Sequence, residues 1–178
     1  AGKELLRASF SYRDVLSDPA LRAKLSNGTV MTIAMRAYVW EDGGSAPVAL
    51  AVQTCRVNYE LWDEVYKIKV SGEGPELNRA AAGVEGVLRT CAEVRDFAIA
   101  DKSIVKSGKR YSLAVIVEIN PVSAQMLAQM RQWVQRPAGS TGISPGDALF
   151  GSFVGLFVRQ IGTSDKTLQF RTQSISIP

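Results

Sequence analysis

Residues 29–42, TVMTIAMRAYVWED, decide how this chain folds. Met31, Ile33, Met35, Ala37 and Val39 occupy every second position. That is the two-residue period of a strand with one apolar side. Asn27-Gly28 just before it is a turn signal, because both residues accept a positive φ. After it, EDGGSAP at 41–47 holds the glycines and proline of a hairpin loop.

The pattern then repeats outward. APVALAVQTCRVNYELW at 46–62 alternates Ala49, Ala51, Cys55, Val57, Tyr59 and Leu61, with Val48, Leu50 and Val52 on the other face. DEVYKIKVSG at 63–72 sets Tyr66, Ile68 and Val70 against Lys67 and Lys69, a strand with one wet face. RYSLAVIVEINP at 110–121 and KTLQFRTQSISI at 166–177 alternate too, and ELLRASFSY at 4–12 adds an N-terminal strand. Glu118, inside an apolar strand, points to solvent or pairs with a base such as Arg36 or Arg56.

Helical spacing interrupts the strands. Val84, Val87, Leu88, Cys91 and Val94 form one apolar stripe over 78–94. Met126, Leu127, Met130, Trp133 and Val134 form another over 123–137, with Ser123 as N-cap and Pro137 as the stop. PGDALFGSFVGLFVRQIG at 145–162 reads as a third, capped by Ser144 with Pro145 at its first position. Its apolar run is far short of the ~20 residues that span a bilayer. Gly151 and Gly155 allow a close backbone approach there, and Phe150, Phe153 and Phe157 are expected to be buried or to dock on a partner. These patterns predict an α+β fold over a single globular domain, 1–178. An antiparallel sheet or β-sandwich-like core would carry three to four amphipathic helices packed against it.

Composition narrows the chemistry. The 178 residues are 46% hydrophobic and 21% charged, ordinary for a folded protein, and the net charge is +4. Lys106, Lys109 and Arg110 are the densest basic group and read as a solvated turn, so no nucleic-acid partner is expected. There is no histidine, which removes the commonest general base and metal ligand. Phosphate-loop and serine-nucleophile motifs are missing as well. The expectation is no enzyme, no catalytic residues, no cofactor and no metal. The compact acidic-aromatic group Trp62, Asp63 and Glu64 reads as a strand-to-strand corner, with Trp62 a candidate contact for a partner or ligand. Cys55 and Cys91 suit either a disulfide or two small buried apolar side chains. AGKELLRASF lacks the apolar core of a secretory signal, so the chain either has none or is the trimmed part of a precursor.

The order of features in CRVNYELWDEVYKIKV (55–70), RDFAIADKSIVKSGKRYSLAVIVEINPVS (95–123) and MRQWVQRP (130–137) resembles a family of uncharacterised proteobacterial proteins, a domain of unknown function. The resemblance spans roughly residues 5–136 and does not reach the phenylalanine-rich stretch. It implies secretion across the inner membrane and a periplasmic or other cell-envelope location, with no functional residues to carry over. The leading expectation is a non-enzymatic envelope protein-interaction module that presents an edge strand or helix face to another envelope protein. The alternative is a carrier of lipid or another apolar small molecule, with a lipid surface as a further contact. A hydrolase acting through Asp63 or Glu64 comes third and requires a cleft around them.

Overall fold

The computed structural model describes residues 4–121 and 164–176. Nine strands run through them: β1 Leu5–Ser11, β2 Met31–Glu41, β3 Pro47–Glu60, β4 Val65–Ser71, β5 Leu77–Ala81, β6 Glu93–Asp101, β7 Arg110–Ile119, β8 Lys166–Arg171 and β9 Ile175–Ser176. Two α-helices of eight residues, α1 Pro19–Ser26 and α2 Val84–Cys91, accompany them. Seven strands make one antiparallel sheet in the order β5-β4-β3-β2-β7-β8, with β9 also pairing to β7. β1 and β6 form a separate antiparallel ribbon.

The alternation of β2 explains the layering. Met31, Ile33, Met35, Ala37 and Val39 are buried, and the register sets them beside Val57, Cys55, Gln53, Ala51 and Ala49 of β3. On the other flank the same residues from Ile33 onward meet Ile119, Val117, Val115 and Leu113 of β7. This apolar face packs under α1, α2 and the turn Arg13–Leu16, with Leu16, Leu25, Val87 and Leu88 in one core. A smaller cluster of Val39, Ala51, Ile99 and Tyr111 joins the sheet to the β1–β6 ribbon, taking in Leu6 and Ala8. The second face of the sheet carries the buried ion pair between Arg36 and Glu118. Ala34 lies opposite Glu118 in the ladder, so Glu118 and Arg36 rise side by side from one face.

The expectation of three to four helices against a sheet is corrected here. Among the described residues the fold is mostly antiparallel sheet, 54% strand, with two α-helices. The predicted helix over 78–94 divides in two. Its first part is β5, a hairpin partner to β4, and the helix itself begins only at Val84. Residues 79–81, RAA, favour helix intrinsically, yet pairing with β4 draws them into the sheet and wins. Residues 92–94 leave the helix for β6. The helix α1 was not expected at all, although Asp18 caps it by accepting from the Ala20 N–H at 2.8 Å and Pro19 opens it. The helices predicted over 123–137 and 144–161 lie outside the described residues.

Candidate functional site

β5 ends the large sheet. Among the described residues it pairs only with β4, its residues up to Ala80 are exposed, and no other backbone hydrogen bond reaches it. Consecutive strand residues point their N–H and C=O groups to opposite sides, so alternate residues of β5 offer theirs outward. After Ala81 the chain turns through Gly83, the N-cap residue of α2, and crosses onto the apolar face. The approach is close: a Cβ on Gly86 would stand 2.7 Å from the Ala81 Cβ. Cys91 at the end of α2 is bonded to Cys55 of β3, their Cα atoms 5.6 Å apart. Closing a loop over a separation of 36 residues contributes about 3–4 kcal/mol in the chain-entropy picture. The helix is thereby fixed beneath the edge.

Between β5, α2 and the start of β6 lies an open groove of about 830 Å³. Val70, Leu77, Val94 and Phe97 supply its apolar lining, and Arg79, Arg89 and Arg95 its positive charge. The two carboxylates in the groove are already engaged. Arg13 reaches Glu85 and Glu93 at 2.5 Å each, and Arg95 lies 3.2 Å from Glu93. The Arg13 hydrogen bond is the main cause holding the Glu93 carboxyl below its ordinary value, with Arg95 adding to it. Arg79 and Arg89 make no ion pair among the described residues. The groove therefore presents net positive charge beside backbone that is unpaired among the described residues, the arrangement that suits an extended chain with acceptor side chains.

The opposite edge differs. β8 is bound at its start to the N-terminal part of the chain, through Lys166 to the Asp14 carbonyl at 2.8 Å and Asp165 to Lys24 at 3.1 Å.

The residues singled out from sequence fall in several places. The structure joins Cys55 and Cys91 and uses them to anchor one wall of the groove. Trp62 stands in the turn between β3 and β4, 97% exposed beside Leu61 at 65%, and does not line the groove. Asp63 and Glu64 are exposed in the same turn, so the cleft that hydrolysis through them requires is not formed around them. Phe150, Phe153 and Phe157 lie outside the described residues, as do Met126 and Met130. Among the described residues no cluster of acidic or cysteine side chains is gathered for a metal ion. No described helix is long and apolar enough to cross a membrane. Arg79, Arg89 and Arg95 went unnoticed in the sequence because they are scattered through a predicted helix and the residues after it. The turn SGEGP at 71–75, which closes the β4–β5 hairpin, was the signal that could have exposed the edge. Set against known proteins, the chain matches no family model, and no curated protein or solved structure is significantly similar to it.

Proposed function

We propose that this chain is a non-enzymatic cell-envelope interaction module that receives an extended segment of a partner protein along the outer edge of β5. One observation carries the reading: an exposed terminal strand, its outer edge unpaired among the described residues, borders a groove partly lined by apolar side chains. Adding a strand to such an edge uses main-chain hydrogen bonds for affinity and side-chain pockets for selection. The envelope location draws support from the Cys55–Cys91 bond, a cross-link that persists in oxidising compartments. A photo-crosslinking side chain placed at Ala80 should yield an adduct with an envelope protein, while the same probe at Gln169 on β8 should not. Repeated absence of an adduct at Ala80, or equal labelling at both edges, counts against the proposal. The apolar-carrier reading rests on Val70, Leu77, Val94 and Phe97 in the groove. Freshly purified protein that shows no apolar adduct by native mass spectrometry argues against that one.

A further inference from the structure

We infer that the segment received at β5 is acidic; this rests on the edge-strand reading and adds the charge of what the edge receives. Side chains of an added strand alternate between the two faces of the sheet. Both faces at this edge are basic. On the groove side, Arg79 lies opposite the buried Ile68 in the ladder and shares the groove with Arg89. On the other side a second open groove, about 580 Å³, is lined by Arg56, Lys67 and Lys69, and Arg79 borders this groove as well as the first. Lys67 and Lys69 reach Glu60 at 3.7 Å and Glu76 at 2.9 Å, whereas Arg56 makes no ion pair among the described residues. Arg56 also stands directly opposite Lys69, a like-charge neighbour that an incoming carboxylate relieves.

The charge pattern discriminates among occupants. A second copy pairing through its own β5 would bring Arg79 against Arg79, so the edge works against self-association. A flat anionic membrane would meet one face of the strand and leave the other unused. An extended peptide with alternating side chains engages both faces at once.

The test uses the purified full chain with its disulfide intact and labelled peptides followed by fluorescence anisotropy. The probes are an alternating glutamate–valine peptide, its lysine–valine counterpart, and the glutamate–valine peptide N-methylated at every second residue. The glutamate–valine peptide should bind and the lysine–valine peptide should not. N-methylation should weaken binding about tenfold or more, since it removes the main-chain donors that pair with β5. The double variants Arg79→Glu with Arg89→Glu, and the milder Arg79→Gln with Arg89→Gln, should each lose about tenfold for the acidic peptide, with circular dichroism confirming their fold. Raising ionic strength should weaken binding by the wild type more than by the glutamine variant. Equal binding of both unmethylated peptides overturns the acidic inference and leaves the edge reading standing. Undiminished binding of the N-methylated peptide overturns the edge reading and leaves only a basic surface. Failure of every peptide, or binding to phosphatidylglycerol vesicles in their place, overturns both.

Discussion

Arg36 and Glu118 form a charged pair buried in the sheet, and at this position the balance of energies is delicate. Removing two charges from water costs several kcal/mol, and their attraction offsets that cost only while both are present. Glu118→Leu leaves a buried guanidinium without its carboxylate and should destabilise the fold by about 3–5 kcal/mol. The double change Arg36→Met with Glu118→Leu should recover most of that loss, and urea midpoints measure both. A fall for the single variant of under about 1 kcal/mol contradicts the pairing as described. Arg13 makes a milder case near the surface. The folded Glu93 carboxyl titrates below its ordinary value of 4.5, so the clamp on α2 and β6 is fully present above that pH. It is lost as pH falls through the lower, folded value. The stability gap between wild type and Arg13→Ala should therefore narrow between pH 7 and pH ~3. A gap that holds constant across that range shows the clamp to be idle.

Among the elements, the meeting of α2 with β5 is tightest at Gly86. A side chain there collides with the Ala81 Cβ, which has no rotamer to yield, so either the helix or the edge must move. Gly86→Val should destabilise by about 1–3 kcal/mol through overpacking, read from thermal unfolding, and should weaken partner binding as the groove wall shifts. An unchanged melting temperature would show the approach to be looser than described. How legible each element was in the sequence follows from what holds it. β2, β3, β4 and β7 announce themselves because the face turned to the core imposes a period of two on Met31–Val39, Ala49–Tyr59, Tyr66–Val70 and Tyr111–Ile119, even though Ala34, Tyr38, Leu50 and Val52 on the other face of β2 and β3 are buried as well. β6 was hidden because Asp96 takes a positive φ and the β1–β6 register slips beside it, which breaks that period. β5 was hidden because its sequence LNRAA is exposed and prefers helix; only its neighbour β4 makes it a strand.

For the whole molecule, topology makes the candidate site. Arg79, Arg89 and Arg95 come from a strand, a helix and a second strand, and the crossover from β5 through α2 to β6 gathers them beside an edge that, among the described residues, pairs only with β4. Local spacing carries no trace of that convergence. Glu118, by contrast, is expected from the sequence either to point to solvent or to pair with Arg36 or Arg56, and the register of β2 beside β7 selects Arg36. The Cys55–Cys91 bond then ties α2, one wall of the groove, to β3. The central claim is that the outer side of β5 stands open in the free chain and closes on an extended partner. Residue-resolved amide hydrogen exchange, followed by NMR on the free protein and again with the glutamate–valine peptide, tests this most directly. Alternate amides of Leu77–Ala81 should exchange rapidly in the free chain while those of β2 and β7 exchange slowly. The same β5 amides should become protected on adding the peptide, with β8 unchanged. Uniformly slow exchange along β5 in the free chain, or no new protection at β5 with the peptide bound, would contradict an open, strand-accepting edge.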